Sequence, residues 1–248
     1  MDTRTHTGSP LYLLERFDVG IVQLDAERRV VGMNDFARRV LPVDEKQPFD
    51  RMVLSFHPER SQPKVEFLLD QAAVCPVANP PPMTMIINIP ERVLLIKVSR
   101  TADARQVTSG YVLVFYDITD LVASEEMPAR DAQPSRRRLH KIPTVSGHKI
   151  VLVDADDLLR LVSDGHYTRV VTADGSQFCN LSIGDLESRL DPEHFMRVHR
   201  SHIVNLRAVT QLVRHDGRVT LRVRGDPAEV PVSRTSAPLV RSRLGMPA

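Results

Sequence analysis

One short segment of this sequence concentrates side chains that bind transition metals. It holds His57, then Cys75 as one of only two cysteines, and then the closely spaced Met83 and Met85. Imidazole, thiolate and thioether groups are all metal ligands. Each type also has an ordinary structural use, because histidine can cap a loop while cysteine and methionine fill gaps in cores. Whether the segment binds a metal therefore depends on the fold around it.

Local geometry allows these ligands to approach one pocket. In a strand that starts at Met83, successive side chains alternate between faces, so Met83 and Met85 point the same way. Three consecutive prolines, residues 80–82, hold an extended lead-in of roughly 3 Å per residue between Cys75 and the methionines. His57 precedes a proline, which disfavours a helical backbone and predicts a junction between elements.

The elements that position this segment belong to a chain with two predicted domains. Its 248 residues, 42% of them hydrophobic, suffice for two ordinary cores. The stretch "LVASEEMPARDAQPSRRRLHKIP" is rich in proline and arginine and poor in apolar residues, which indicates a helical exit followed by a linker. We therefore predict a first domain at residues 11–121, an exit and linker at 122–143, and a second domain at 144–246.

The two halves differ in charge. Residues 1–127 hold 14 lysines and arginines against 18 aspartates and glutamates, whereas residues 128–248 hold 19 against 13. Arginine dominates the basic half, and its forked guanidinium suits phosphate recognition, although a soluble surface often carries a similar excess.

The hydrophobic pattern predicts a cytoplasmic protein. No stretch approaches the roughly 18 apolar residues that span a bilayer, and the N-terminus lacks the apolar core of a signal peptide. In a reducing cytoplasm we expect no disulfide between Cys75 and Cys179. Cys179 lies in an apolar strand context and is expected to be a buried small hydrophobe.

The first domain has the element order of a sensor fold. Sequence patterns predict two strands, short helices and three further strands, the last ending in "YDITD". Asn34 is the predicted N-cap of one helix, and "PKVEFLLDQA" has apolar residues at helical spacing. This order and motif resemble a PAS sensor domain, an antiparallel sheet with helices that holds ligands between the helices and the inner face of the sheet. The resemblance implies an α+β fold with the His57–Met85 segment at the pocket.

The second domain is rich in strands separated by glycine turns such as "ADG" and "HDG". One helix interrupts them in "SIGDLESRL", where Ser182 and Asp185 form a capping pattern. The block "FMRVHRSHIVNLRAV" then resembles the signature of LytTR DNA-binding domains, and the similarity extends over residues 144–246. That family is mostly β and places loops, not a recognition helix, into successive major grooves.

The LytTR resemblance implies which residues contact DNA. The implied contact residues are His166, Tyr167, His199, Arg200, Ser201 and Arg234. Arginine can bond a guanine edge or a phosphate, and histidine and serine can reach either. His199 and His202 also lie three residues apart, but a metal pair would need further ligands nearby that the sequence does not identify. We therefore expect one of these two histidines to pack or cap.

A histidine with one axial sulfur ligand is a haem-iron set, in which thiolate stabilises ferric iron and thioether favours ferrous iron. The stretches "HPERSQPKVEFLL", "CPVANPPPMTMIINIPERVLLIKVS" and "VFYDITD", upstream of a LytTR domain, resemble the RcoM family of carbon-monoxide-responsive haem PAS transcription regulators. The resemblance implies haem b, held by His57 in both redox states, by Cys75 in the ferric state and by Met85 in the ferrous state. Met83 is the rival for the last role because it shares the strand face.

The RcoM resemblance implies a one-component transcription factor. Carbon monoxide would displace Met85 from ferrous haem and promote the binding of a homodimer to operator DNA. The alternative is a PAS–LytTR regulator without haem that senses another small ligand. An enzyme is not expected, because no P-loop, nucleophile elbow or kinase signature appears in the sequence.

Overall fold

The computed structural model describes residues 18–41, 49–57, 59, 62–74, 83–89, 92–124, 137–146, 149–165 and 167–246. These residues fall into two compact units. The first holds the described residues up to Met85 together with Leu94–Asp117, and the second holds Ile86–Val93 and the described residues from Ile118 onward. No helix within the described ranges is long and apolar enough to cross a membrane.

An antiparallel sheet of five strands occupies the N-terminal part, in the order β2-β1-β5-β4-β3. The strands are β1 (Val19–Asp25), β2 (Val30–Met33), β3 (Met83–Ile89), β4 (Arg92–Ala102) and β5 (Thr108–Asp117). The predicted order of two strands, short helices and three strands is confirmed. The strand predicted from "MTMIINI" coincides with β3.

Two helices lie between β2 and β3. The first, α1 (Asp35–Val40), starts after Asn34, whose Oδ1 accepts hydrogen bonds from the backbone N–H groups of Ala37 and Ile21, both at 3.0 Å. Asn34 is therefore the predicted cap, and it also ties α1 to β1. The second helix, α2 (Gln62–Val74), covers the predicted "PKVEFLLDQA" helix.

One face of the sheet is apolar and closely packed. Its buried residues on β1, β4 and β5 are Val22, Leu24, Leu94, Ile96, Val98, Tyr111, Leu113 and Phe115. Phe115 lies opposite Gly20, and a Cβ atom on Gly20 would lie only 1.9 Å from the ring carbon Cζ. Glycine at this position therefore makes room for the Phe115 ring, which also packs against Phe36 of α1 with 6.1 Å between ring centroids.

The C-terminal unit contains a seven-stranded antiparallel sheet in the order β11-β12-β8-β9-β10-β6-β7, and a three-stranded sheet in the order β13-β14-β15. The larger sheet comprises β6 (Lys141–Ser146), β7 (Lys149–Asp154), β8 (Arg160–Asp164), β9 (Tyr167–Thr172), β10 (Gly175–Cys179), β11 (Phe195–His199) and β12 (His202–Asn205). The smaller sheet comprises β13 (Val209–His215), β14 (Arg218–Val223) and β15 (Asp226–Val232). The predicted strand-rich second half is confirmed, and β6 begins within the segment predicted as linker.

Three short helices accompany these sheets: α3 (Thr119–Val122), α4 (Ile183–Glu187) and α5 (Ala237–Arg243). Ser182 caps α4 as predicted, because its Oγ accepts a hydrogen bond from the N–H of Asp185 at 3.1 Å.

Cys179, at the end of β10, is fully buried as predicted and forms no disulfide with any described residue.

One apolar core joins β11, β12, the three-stranded sheet and α5. Its buried members are Val198, Val204, Ala208, Leu221, Val223, Val230 and Val240. Because β11 and α5 share this core, the turn after β11 and the segment before α5 are held in fixed positions within the unit.

Candidate functional site

His57 lies at a junction between two elements of the sensor half. It follows a 3₁₀ turn, Val53–Phe56, and has an extended backbone with φ −107° and ψ 142°. Its N–H donates to the carbonyl of Leu54 at 3.0 Å, and its carbonyl accepts from Nε2 of Gln62, the first residue of α2, at 3.1 Å. The predicted non-helical junction is therefore present, and hydrogen bonds to the N–H and the carbonyl of His57 hold its backbone in place.

The His57 side chain is half-buried, and this burial lowers the pKa of the imidazole below its ordinary value of 6.5. The neutral form therefore predominates at pH 7, and neutral imidazole is the form that binds a metal through a lone pair. Within the described ranges no group hydrogen-bonds to the His57 ring. His57 thus has the chemistry that a metal ligand requires.

The remaining sulfur ligands of the predicted set are only partly described. Helix α2 ends at Val74, so Cys75 follows it directly in sequence but lies outside the described residues. Met83 and Met85 hold the first and third positions of β3, the strand next to β4 at one end of the sheet order. The backbone therefore places the two methionines on one strand, and their roles as ligands stay predictions.

A charged contact holds α2 at the β1–β2 turn. Arg28 of that turn has a positive φ of 66°, and its Nη2 lies 2.5 Å from Oδ1 of Asp70 on α2. The same guanidinium lies 5.9 Å from the ring centroid of the buried Tyr111 on β5. This contact fixes the helix that leads to Cys75 relative to the sheet.

In the DNA-binding half, the predicted contact residues centre on the turn between β11 and β12. This two-residue turn consists of Arg200 and Ser201, and His199 pairs with His202 at its base. Arg197 braces it, because Nη2 donates to the carbonyl of Arg200 at 2.6 Å while Nη1 lies 2.7 Å from Oε2 of Glu187 on α4. Arg197 therefore links the backbone of the turn to α4.

The side chains of His199, Ser201 and His202, at the turn and its base, form one hydrogen-bond chain. Ser201 Oγ lies 2.8 Å from Nδ1 of His199 and 2.9 Å from Nδ1 of His202. The two imidazole rings meet edge-on with centroids 5.7 Å apart. The described ranges contain no cluster of three or more His, Cys, Asp or Glu side chains that could hold a metal ion. The two histidines are therefore hydrogen-bonded through Ser201, and both side chains are half-buried.

Charged residues behind the turn were not predicted from the sequence. Burial lowers the pKa of His202 to about 4, with help from the positive charge of Arg160 and from His199. Arg160 on β8 forms an ion pair with Asp226 on β15, and their side chains are only 12% and 7% exposed. Sixty-six positions separate these two residues in the chain. Because the two residues are so far apart along the chain, no local sequence pattern indicates that they pair.

The β8–β9 turn lies beside the β11–β12 turn. Ser163 on β8 donates its N–H to the carbonyl of Ser201 at 2.8 Å. Tyr167 begins β9 opposite Asp164, and its ring packs edge-on against Phe178 at 6.1 Å. His166 lies outside the described residues. The structure thus brings the end of β8, at Ser163, next to Ser201.

Arg234 lies at the edge of a basic cleft. This cleft, of about 1090 Å³, lies between the three-stranded sheet and α5, and His199 also lines it. Its other arginines are Arg214, Arg218 and Arg241. The described lining does not include Tyr167 or Arg200. The sequence signalled these extra arginines only through the basic excess of the second half.

Comparison with known protein families identifies a domain in each half. A family model described as a PAS domain matches residues 11–119, and a model described as a LytTr DNA-binding domain matches residues 148–245. The predicted PAS and LytTR folds are confirmed by these matches.

Similar full-length proteins are transcriptional regulators. "Heme-containing CO-sensing transcriptional regulator RcoM 1" of Paraburkholderia xenovorans is 42% identical over 94% of this chain and 91% of its own length. "CO-responsive transcriptional regulator RcoM" of Rhodospirillum rubrum is 32% identical over 95% of this chain and 98% of its own length. Among solved structures, a LytTr DNA-binding domain from Bacillus cereus is 22% identical, covers 43% of this chain and 98% of that domain, and has a TM-score of 0.40.

Proposed function

The chain belongs to the RcoM family, and from that premise we propose that it is a haem-dependent carbon monoxide sensor that regulates transcription by binding DNA. The observation that carries the proposal is that similarity to CO-sensing regulators runs through the PAS and the LytTR segments together. Similarity confined to one segment would support either sensing or DNA binding, but not their combination.

For the sensor half, we propose His57 as the haem ligand in both redox states. The half-buried and neutral imidazole supports this role, since a neutral imidazole can ligate iron in either state. Cys75 is proposed as the ferric ligand and Met85 as the ferrous ligand, with Met83 as the alternative to Met85. Haem b fits better than a covalently attached haem, because the two cysteines are far apart and no Cys-x-x-Cys-His motif is present.

Haem iron, when bound, supplies the site at which carbon monoxide competes with the Met85 thioether. The chain's own residues offer a route from β3 to the segment that leads into the DNA-binding half. Near the start of β4, Val93 donates its N–H to Oγ1 of Thr119 at 2.8 Å and accepts from the N–H of Ile118 at 2.9 Å. Thr119 begins α3. We propose that release of Met85 shifts β3 and β4 and that these two hydrogen bonds carry the shift to α3.

For the DNA-binding half, we propose that His166, Tyr167, His199, Arg200, Ser201 and Arg234 contact DNA. The braced β11–β12 turn, its contact with the β8–β9 hairpin and the basic cleft around Arg234 support this set. Arginine and histidine side chains can reach base edges or phosphates in a major groove.

We propose domain boundaries at residues 11–121, 122–143 and 144–246, a homodimeric cytoplasmic protein and no catalytic role. The PAS match at residues 11–119 and the LytTr match at residues 148–245 support the boundaries, and the names of the similar regulators support a non-catalytic role. Light scattering of the purified protein, with and without DNA, tests the homodimer.

An absorption titration tests the proposed function. The purified protein should show a Soret band, and addition of carbon monoxide to the reduced protein should shift that band while it raises affinity for a duplex selected from random DNA. A protein without a Soret band that still binds DNA would support the haem-free PAS–LytTR alternative. A protein that binds haem and carbon monoxide but no selected duplex would contradict the regulatory role.

A further inference from the structure

The hydrogen-bond chain at the β11–β12 turn has a defined direction. A serine hydroxyl carries one proton, so Ser201 Oγ can donate to only one of the two Nδ1 atoms that lie 2.8 and 2.9 Å away. The backbone N–H of Ser201 also points at Nδ1 of His199, at 3.3 Å. Since an N–H only donates, Nδ1 of His199 must be an acceptor without a proton.

The remaining protons follow from this acceptor. The Ser201 hydroxyl donates to His199, because Nδ1 of His199 cannot donate in return. The hydroxyl oxygen must then accept from Nδ1–H of His202. Neutral histidine carries a proton on one ring nitrogen only. His202 therefore has its proton on Nδ1, and His199 has its proton on Nε2.

The surroundings of His202 keep this arrangement in place at pH 7. His202 is flanked by Arg160 on β8 and by His199 on β11, and both disfavour a positive charge on its ring, as does burial. Arg160 is in turn fixed by Asp226, which is almost fully buried on β15. A neutral His202 can keep Nδ1–H as its single proton.

We infer that His202 is a positioning residue that acts through Ser201 to hold His199 in the Nε2–H tautomer, so that His199 presents a hydrogen-bond donor to an acceptor on DNA. This inference rests on the proposed function, because it needs the turn to contact DNA. His199 lines the same cleft as Arg234, so its ring is accessible from the basic side of the unit. A donor at Nε2 suits N7 or O6 of guanine, N7 of adenine, O4 of thymine or a phosphate oxygen, but not the amino group of cytosine.

The tautomers can be measured without DNA. In the full-length protein labelled with ¹⁵N at histidine, two-bond ¹H–¹⁵N spectra distinguish protonated from unprotonated ring nitrogens. We expect an unprotonated Nδ1 in His199 and an unprotonated Nε2 in His202. A proton on Nδ1 of His199 would overturn the inference whatever the protein binds.

Variants of His202 test the positioning role, because His202 is not one of the proposed DNA contacts, whereas Ser201 is. His202→Leu removes the donor, and it should release the His199 tautomer and weaken duplex binding by on the order of 10-fold, the effect of one hydrogen bond. His202→Asn should keep the wild-type tautomer of His199 and the wild-type duplex affinity, because its amide nitrogen is as many bonds from the backbone as Nδ1 of histidine. His202→Gln places that nitrogen one bond further out and should not.

The outcomes separate this inference from the proposed function. If His202→Leu keeps the wild-type tautomer and affinity, or if the Asn and Gln variants behave alike, His202 does not position His199. If the wild-type protein has the expected tautomers but binds no selected duplex, the proposed function fails and the DNA role of His199 fails with it.

Modified duplexes identify the acceptor on DNA. Duplexes with 7-deazapurines lack N7, and methylphosphonate duplexes lack the charged phosphate oxygen. The modification that abolishes the difference between wild type and His199→Ala marks the partner of Nε2–H. A further duplex has O6 of guanine and O4 of thymine replaced. If every modified duplex leaves that difference intact, His199 does not act as a donor to DNA.

Discussion

At the scale of single residues, each half contains a histidine whose lowered pKa keeps it neutral at pH 7. Burial lowers the pKa of His57, and burial together with Arg160 and His199 lowers that of His202 to about 4. A neutral ring has one lone pair for a ligand and one N–H for a hydrogen bond. The lone pair serves the proposed iron ligand His57, and the single N–H of His202 is the donor to Ser201 Oγ in the inferred hydrogen-bond chain.

Replacing His57 tests the ligand assignment. His57→Ala should reduce haem affinity by more than the roughly 10- to 100-fold that follows from changing a residue behind a metal ligand. The Soret absorbance per protein, measured after gel filtration, checks this. His215→Ala is the matched control, because His215 is 86% exposed at the end of β13. Full haem retention and a normal ferrous–CO spectrum in His57→Ala would remove the residue from the site.

The two methionines of β3 give the sharpest comparison in the sensor half. If Met85 closes the ferrous site, the apparent affinity for carbon monoxide is reduced by the fraction of protein in the closed state. Met85→Leu should therefore give a five-coordinate ferrous spectrum and tighter binding of carbon monoxide. Leucine nearly preserves volume, so the packing loss should stay below about 1.5 kcal/mol.

Met83→Leu is the internal control for that prediction, and the carbon monoxide titration of reduced protein is its measurement. It should leave the ferrous spectrum six-coordinate. An exchange of the two phenotypes would assign the ligand to Met83, and two unchanged spectra would make both methionines core residues.

How far these residues could be predicted depends on the range of the forces that place them. The junction at His57 and the cap at Asn34 were predictable, because proline and capping act over a few neighbouring positions. The ion pair of Arg160 with Asp226 was not, because it forms only when β15 packs against β8. The low pKa of His202 was not predictable either, because it comes from burial and from the nearby Arg160 and His199.

At the scale of elements, buried polar contacts tie strands and helices together. The Arg160–Asp226 pair joins the large sheet to the three-stranded sheet, and the Val93–Thr119 hydrogen bond joins β4 to α3. Such contacts are costly to break, because the remaining group stays buried without its partner. Hydrophobic periodicity predicted the strands and helices themselves. Their relative positions depend on polar contacts such as these two, which periodicity does not indicate.

Arg160→Met tests the first of these contacts. It leaves the Asp226 carboxylate buried and unpaired, and we expect a loss of about 3 kcal/mol or more in the free energy of unfolding. Arg222→Met, which breaks the exposed Arg222–Glu229 pair of the three-stranded sheet, should cost no more than about 1 kcal/mol. Urea unfolding at pH 7, followed by hydrogen exchange of the β8 and β15 amides, gives the comparison. Equal losses of unfolding free energy in the two variants would show that the buried pair contributes no more to stability than the exposed pair.

The Arg160–Asp226 pair also fixes the direction of one pH effect. Burial alone would raise the pKa of Asp226, but hydrogen bonds from Arg160 and the Ala228 N–H, with the charge of Arg160, lower it below 3.8. The contribution of Asp226 to stability is therefore present above its unfolded pKa and is lost as pH falls through the lower folded pKa. Arg160→Met removes both effects of Arg160 that lower this pKa, so the loss of stability between neutral and acid pH should be smaller in the variant than in the wild type, as measured by urea unfolding across that range.

Thr119→Val tests whether the start of α3 carries the signal. It removes the acceptor for the Val93 N–H while nearly preserving shape. We expect an unchanged ferrous–CO spectrum and a CO-induced gain in DNA affinity that is smaller by about 5-fold or more, the lower range of allosteric coupling. Thr101→Val, which breaks an exposed side-chain bond between Thr101 on β4 and Ser109 on β5, is the control. Equal responses in the two variants would place the route elsewhere.

At the scale of the whole molecule, most of the PAS match lies in one unit and the LytTr match lies in the other. The element order and the block "FMRVHRSHIVNLRAV" were sufficient to predict both fold families, because each depends on patterns repeated along whole strands and helices. Arg234 was predicted, but the other arginines of the basic cleft were not, because they come from β13, β14 and α5 and meet only through the shared apolar core. The units can therefore be perturbed separately.

Substitutions in the DNA-binding unit should separate readout from sensing. Arg200 is exposed on the braced turn and Arg234 lies at the basic cleft, so neither side chain is needed for packing. Arg200→Ala and Arg234→Ala should each weaken binding to the selected duplex by about 1 to 3 kcal/mol if that arginine reads a base. A contact to phosphate would instead weaken all duplexes alike and reduce the salt dependence of binding.

Both arginine variants should keep the wild-type haem spectrum and affinity for carbon monoxide, because the altered residues lie in the other unit. Arg222→Ala is the matched control, since Arg222 is exposed on the three-stranded sheet and does not line the cleft. Fluorescence anisotropy with and without carbon monoxide, alongside the absorption spectrum of the same sample, measures both properties. Unchanged duplex affinity in both variants would remove Arg200 and Arg234 from the interface, and an altered haem spectrum would show that the two units do not function separately.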